Sequence, residues 1–128
     1  MQIAITNQVK ITVETSYQDD KRAAGDVKFM FAYRITIENQ GEHTIQLMRR
    51  HWHIIDLIDG ENEVEGEGVV GIQPILEPGE RHQYVSGCLL RSPIGKMYGT
   101  YQMERQFDGE KFMVEIPEFV LAVPFLNN

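Results

Sequence analysis

Apolar side chains alternate with polar or small ones along much of this 128-residue chain, and the spacing typical of amphipathic helices is nearly absent. Successive side chains of a β-strand point to opposite faces of a sheet, so such alternation is typical of a strand with one buried face. The clearest run spans residues 29–37, where the odd positions hold Phe, Phe, Tyr, Ile and Ile. The pattern predicts an all-β protein.

Turn residues divide the alternating pattern into about seven predicted strands. These strands cover residues 3–13, 29–37, 44–48, 50–58, 81–88, 97–107 and 111–123. Tight turns are predicted at Asp59-Gly60, Pro78-Gly79 and Asp108-Gly109. A polar loop with room for a short helical turn at Ala23 and Ala24 is predicted for residues 19–25, and the strand signal is weak over 65–71.

The last predicted strand changes phase at Pro117. Apolar residues occupy positions 112, 114 and 116 before this proline and positions 119, 121 and 123 after it. A shift of one residue requires a β-bulge or a change of sheet, and proline suits either because it has no N–H to donate to a ladder. We therefore expect a bulge or a sheet change at this point.

Short strands with regular turns predict one antiparallel β-sandwich domain over residues 1–128. Trp52 is similar to the core tryptophan of immunoglobulin-like sheets, although the cysteine pair of antibody domains is missing. Apolar residues make up 42% of the chain, so a core can form without disulfides. Cys88, the single cysteine, is interpreted as a buried structural thiol because no base stands near it in sequence.

The net charge of −7 limits the classes of partner. Nucleic-acid binding requires a basic surface, and the densest basic group is the pair Arg49 and Arg50. Charges interrupt every apolar stretch short of the roughly 20 residues of a membrane span, and the N-terminus lacks a secretion signal. We expect a soluble, cytoplasmic protein that binds neither nucleic acid nor membranes.

The segment GEGVVG places Gly66, Gly68 and Gly71 at the spacing of a dinucleotide-binding fingerprint. That fingerprint works at the start of a helix, whereas Pro74 follows closely here and no helical pattern continues. The favoured interpretation is a glycine-rich loop or bulged strand. The alternative is that loop amides, together with Arg50, bind a carboxylate, phosphate or nucleotide.

His51 and His53 flank Trp52 and would project from the same face of a strand, roughly 6.6 Å apart. This pair suits a metal ion if a neighbouring strand, or His43 or His82, supplies a third ligand. No acidic residue stands four or five positions beyond the second histidine. The favoured interpretation places the tryptophan in the core and the histidines in solvent, with no metal and no cofactor.

Several blocks of the sequence resemble the ApaG domain family. They are Arg50 and Trp52 in RRHWHI, the segment VEGEGVVGIQP at 64–74, Pro78-Gly79-Glu80, Tyr84 with Ser86-Gly87, Met97 with Gly99 and Tyr101, and IPEFVLAVP at 116–124. The resemblance implies an immunoglobulin-like or fibronectin type III-like β-sandwich. It also implies an association with cobalt resistance and magnesium efflux, without an established activity or catalytic residue.

The residues and the resemblance together leave several functions open. The favoured prediction is a non-catalytic module that binds a protein partner through a sheet face or loop end. The alternative is direct binding of Co²⁺ or Mg²⁺, motivated by the histidine pair and the acidic charge. Nucleotide binding at the glycine-rich loop is a third hypothesis, and unpaired sheet edges predict a possible homodimer.

Overall fold

The computed structural model describes residues 1–23 and 26–124, and these residues form nine β-strands and no α-helix. The strands are β1 (Gln2–Thr6), β2 (Val9–Ala23), β3 (Asp26–Asn39), β4 (Ile45–Asp56), β5 (Gly60–Glu67), β6 (Ile75–Leu76), β7 (Arg81–Leu90), β8 (Ile94–Arg105) and β9 (Lys111–Ala122). In the described part of the chain there is no helix able to cross a membrane.

The strands form two antiparallel sheets. One sheet has the order β1-β2-β3-β7, and the other has the order β5-β4-β8-β9 with the short β6 paired to β4. The inward side chains of both sheets form one hydrophobic core. The predicted all-β sandwich is therefore confirmed, whereas its closer likeness to immunoglobulin or fibronectin domains stays a prediction.

The predicted N-terminal strand is wrong in one respect, because it is a hairpin of β1 and β2. Asn7 and Gln8 turn the chain with φ angles of 50° and 63°. A two-residue turn with positive φ at both positions matches the right-handed twist of the strands, but it normally contains glycine. Neither residue here is glycine, so the turn was not predicted. Ile3 and Ile5 are consequently 50% and 60% exposed, although they share the parity of the buried residues of β2.

The strands predicted at 44–48 and 50–58 are the single strand β4. Its register with β8 shifts between Leu47 and Arg49, which leaves Met48 as an extra residue. Core residues therefore lie at odd positions before this bulge and at even positions, including Trp52, after it. The change of parity explains why the pattern suggested two strands.

The bulge predicted at Pro117 is confirmed. Met97 of β8 pairs with Phe119, and Gly99 pairs with Ile116, so two residues of β9 oppose one residue of β8. The turns at 59–60 and 108–109 join β4 to β5 and β8 to β9.

Two predicted loops are shorter than expected. Strand β5 extends to Glu67, and β2 and β3 form a long hairpin that reaches Ala23 and resumes at Asp26. The helical turn predicted at Ala23 and Ala24 is wrong at residue 23, which lies in a strand, and residue 24 lies outside the described residues. Both errors arise because exposed strand ends are polar and lack apolar alternation.

Trp52 anchors the middle of β4 in the core. It is 3% exposed, and its ring contacts those of Tyr33 and Phe119 with centroids 5.5 and 5.8 Å away. Side chains alternate along a strand, so this anchor turns the residues on either side toward solvent. It fixes the orientation of His51 and His53.

Candidate functional site

His51 and His53 lie side by side on the outer face of β4. Their rings stack with centroids 4.7 Å apart and an interplanar angle of 23°. The side chains are 32% and 27% exposed, so each ring is partly covered and keeps one side open to water. The predicted orientation of the pair is the one observed.

Strand β5 brings a row of carboxylates against this pair. Every second residue of the strand is a glutamate, and these side chains share the outer face. The Nε2 atom of His51 lies 2.8 Å from the Oε1 atom of Glu63, and its Nδ1 atom lies 3.1 Å from Glu65. The Nδ1 atom of His53 lies 3.1 Å from Glu61 and 3.8 Å from Glu63.

Tyr98 of β8 completes the surroundings of His53. The two rings stack nearly parallel, with centroids 4.7 Å apart and an interplanar angle of 7°. The tyrosine hydroxyl donates to the Oε1 atom of Glu61 over 3.2 Å. Partial desolvation and this carboxylate raise the pKa of Tyr98, so the hydroxyl remains a donor and holds the glutamate in place.

Three of these side chains can hold a metal ion. One ligand atom from each of His51, His53 and Glu63 lies within 4.8 Å of the other two. Ligand atoms around one tetrahedral cation lie roughly 3 to 4 Å apart when each bond is about 2.1 Å. Small side-chain rotations therefore suffice to enclose a cation, and solvent can fill the remaining coordination positions.

Sequence reasoning named His51 and His53 as candidate ligands but did not name Glu63. Glu63 lies opposite His53 in the β4–β5 pairing, so it comes from the neighbouring strand. The signal was the alternation of glutamates in GENEVEGE, which places four carboxylates on one face of a strand. His43 and His82 do not join the cluster, because their rings lie against Phe107 and Tyr84.

The glycine-rich segment forms a tight turn at the end of β5. Val69 and Ile72 exchange two backbone hydrogen bonds of 2.8 and 3.1 Å, and the N–H of Gly68 donates to the carbonyl of Met48. Gly68 has a φ of 63°, and a Cβ atom there would lie 2.1 Å from the carbonyl oxygen of Ile72. Gly71 has a φ of 81°. Backbone acceptors therefore occupy the amides of residues 68, 69 and 72.

Arg50 packs beneath this turn. Its Nη1 atom donates to the carbonyls of Glu67 and Gly68 over 2.9 and 3.0 Å. Gly66 lies opposite, where a Cβ atom would come within 2.8 Å of the guanidinium. The structure thus brings Arg50 to the glycine-rich segment, but against its carbonyl groups and not against free amides.

A cleft of about 490 Å³ opens between the edge strands β5 and β7, on the inner side of β4. We call it the Arg50 cleft; its lining includes Arg50, Tyr33, Trp52, Tyr84, Ser86, Cys88, Val64, Val70 and Leu89. Burial raises the pKa of Cys88 to about 11, with a smaller contribution from the negative charge of Asp56. The thiol is therefore protonated at neutral pH, as expected for a structural cysteine.

The raised pKa of Cys88 predicts that the protein loses stability as the pH rises from about 8.5 toward 11. In this window the unfolded thiol has released its proton while the folded thiol retains it, so the free energy of unfolding falls by about 2 kcal/mol. Urea unfolding at several pH values between 8.5 and 10 measures the slope. Cys88→Ala should flatten it, and an unchanged slope in that variant would contradict the assignment.

Comparisons with known proteins agree with this fold. A model of the ApaG domain matches residues 19–105. The Protein ApaG of Paramagnetospirillum magneticum is 48% identical over 119 residues, which are 93% of this chain and 91% of that protein. An X-ray structure of a structural genomics target superposes with a TM-score of 0.90 at 42% identity, covering 96% of this chain and 92% of that one.

A second crystal structure, described as a putative ApaA protein from Bordetella pertussis, has a TM-score of 0.83. It is 42% identical to this chain and covers 91% of it and 94% of its own length. Sequence and backbone therefore agree over nearly the whole molecule, and this chain belongs to the ApaG domain family.

Proposed function

We propose that this protein is a non-catalytic β-sandwich that binds a divalent transition-metal cation at His51, His53 and Glu63. The observation that supports this proposal most directly is the approach of the three ligand atoms to within 4.8 Å of one another. The ligands lie on two paired strands, so the sheet itself holds them in position. The site is accessible from solvent and needs no opening of the fold.

The ligand types favour Co²⁺ and similar ions over Mg²⁺. Imidazole nitrogens suit cobalt, nickel, copper and zinc, whereas Mg²⁺ prefers oxygen ligands and retains several waters. This preference supports a role on the cobalt side of the association that the family resemblance implies. It gives less support to direct magnesium binding.

The surroundings of the site attract cations. Glu61 and Glu65 flank Glu63 on the same face, and the whole chain carries a net charge of −7. Negative charge raises the local concentration of cations. We assign no catalytic residue to the protein and place its action in the cytoplasm. A protein partner and a homodimer remain predictions.

A cobalt titration tests the proposal. Visible absorption of Co²⁺ reports its coordination, and the melting temperature reports binding to the folded state. At a hundred times the dissociation constant, linkage stabilises the fold by about 2.7 kcal/mol, which raises the melting temperature by roughly 10 °C. His51→Ala and Glu63→Ala should each weaken binding at least tenfold.

His82→Ala is the matched control, because it removes a partly exposed strand histidine outside the cluster. It should bind cobalt as the wild type does, and excess Mg²⁺ should not displace the cobalt. A wild-type melting curve that millimolar cobalt leaves unchanged would exclude the site. Equal losses of cobalt affinity in His51→Ala and His82→Ala would also exclude it.

A further inference from the structure

We propose that the Arg50 cleft binds a small organic carboxylate, with the guanidinium of Arg50 holding the carboxylate and the cleft walls covering an apolar body. This site is separate from the proposed cation site. After the bulge at Met48, the even-numbered residues of β4 face the cleft, whereas His51 and His53 face the opposite side. The two sites share no residue, so ligand binding at one can be tested independently of the other.

The cleft has the size and lining of a small-molecule site. Its volume of about 490 Å³ lies in the range of about 300 to 1,000 Å³ that is typical of ligand clefts. The rings of Tyr33, Trp52 and Tyr84 line it, and Val64 and Leu89 are 42% and 44% exposed at its rim. The lining combines these apolar surfaces with polar side chains, among them Arg50 and Ser86, that can fix the orientation of a ligand.

The guanidinium of Arg50 supplies the polar anchor. Among the described residues it forms no ion pair with a carboxylate, and only its Nη1 atom has hydrogen-bond partners, which are the carbonyls of Glu67 and Gly68. The N–H groups on Nε and Nη2 have no acceptor among the described residues, so they remain available to a ligand. A guanidinium offers parallel N–H groups that match the two oxygens of a carboxylate.

Nearby hydroxyl groups are consistent with an anionic ligand. Burial raises the pKa values of Tyr33 and Tyr84, while the positive charge of Arg50 lowers them to a smaller extent. Both hydroxyls therefore stay protonated and neutral. A deprotonated hydroxyl beside the guanidinium would repel an anionic ligand, and neither tyrosine supplies such a charge.

The acidic residues of the cleft lie at its other end. Asp56 is six residues from Arg50 along β4, about 20 Å away. Its carboxylate accepts from the N–H groups of Ile58 and Arg91, and Asp59 pairs with the guanidinium of Arg91. These carboxylates are already engaged, and neither of them contacts the guanidinium of Arg50.

Benzoate is the probe for this site, and benzamide is its neutral counterpart of the same shape. We expect benzoate to shift the backbone amide resonances of Gly66 and Gly87 saturably, with a dissociation constant on the order of 1 mM for so small a ligand. Benzamide and inorganic phosphate should cause no saturable shift. A response to phosphate alone, or an equal response to benzamide, would overturn the proposal.

Val64→Glu places a competing carboxylate at the exposed rim without removing a core side chain. It should weaken benzoate binding at least tenfold and leave cobalt binding in place. Val120→Glu is the control, since Val120 is an exposed valine on the edge strand β9 of the same sheet, outside the cleft lining. Saturable binding that survives Val64→Glu, or no binding to the wild type, contradicts the proposal.

Discussion

Gly99→Ala is expected to destabilise the protein by about 3 kcal/mol or more, a large part of the stability of a domain this size. A Cβ atom at this position of β8 would lie 2.1 Å from the carbonyl oxygen of His51 and 3.2 Å from the Cα atom of Trp52. Both are backbone atoms of the paired strand β4, so no side-chain rotation relieves the clash. The two central strands must separate locally.

Gly87→Ala is the matched control for this substitution. Gly87 also lies within a strand, but a Cβ atom there meets nothing closer than 3.5 Å. We expect its free energy of unfolding to stay within about 0.5 kcal/mol of the wild type. Urea unfolding compares the two variants, and equal losses would show that strand glycine itself, and not the close approach to His51, sets the cost.

Asn39→Ala is expected to cost about 3 kcal/mol, because it removes several buried hydrogen bonds at once. Asn39 is 2% exposed at the end of β3. Its Nδ2 atom donates to the carbonyls of His43 and Leu76, over 2.8 and 3.0 Å, and its Oδ1 atom accepts from Gly41. With alanine, the carbonyls of His43 and Leu76 and the N–H of Gly41 lose these hydrogen bonds.

Asn39→Asp tests the role of the donor separately. It keeps the size and the acceptor but directs a carboxylate at two carbonyl oxygens, so it should destabilise the protein at least as much as alanine at neutral pH. Gln83→Ala is the control, because Gln83 makes an exposed hydrogen bond to Thr36. A loss in Asn39→Asp no larger than that of Gln83→Ala, measured by urea unfolding, would refute this account.

The sequence predicted the strands whose apolar residues alternate regularly, and it predicted the irregularity where this alternation changes phase. The alternation at 29–37 identified β3, and the phase change at Pro117 identified a bulge that the β8–β9 register contains. It failed at the turn of Asn7 and Gln8, where two non-glycine residues adopt positive φ. Such a turn depends on the pairing of β1 and β2 and has no local signature here.

Part of the candidate site was likewise predictable from the sequence, and part of it was not. The outward direction of His51 and His53 follows from the burial of Trp52, which the pattern predicts. The contribution of Glu63 depends on which strand pairs with β4 and in which register, and both are tertiary properties. The alternation of glutamates in GENEVEGE could have indicated an acidic strand face, but no sequence signal shows that this face adjoins the histidines.

The extra residue Met48 has a consequence for the proposed cation site. Before it, Ile45 and Leu47 point into the core, and after it the inward position passes to Trp52. If β4 paired with β8 without this bulge, strict alternation from Leu47 would turn Trp52 outward and would turn His51 and His53 toward the core. Deletion of Met48 would instead make the spacing from Leu47 to Trp52 even, so a regular strand would keep the tryptophan inward and the histidines outward. The bulge, and not the presence of the two histidines in the sequence, therefore determines which face of the sheet carries them.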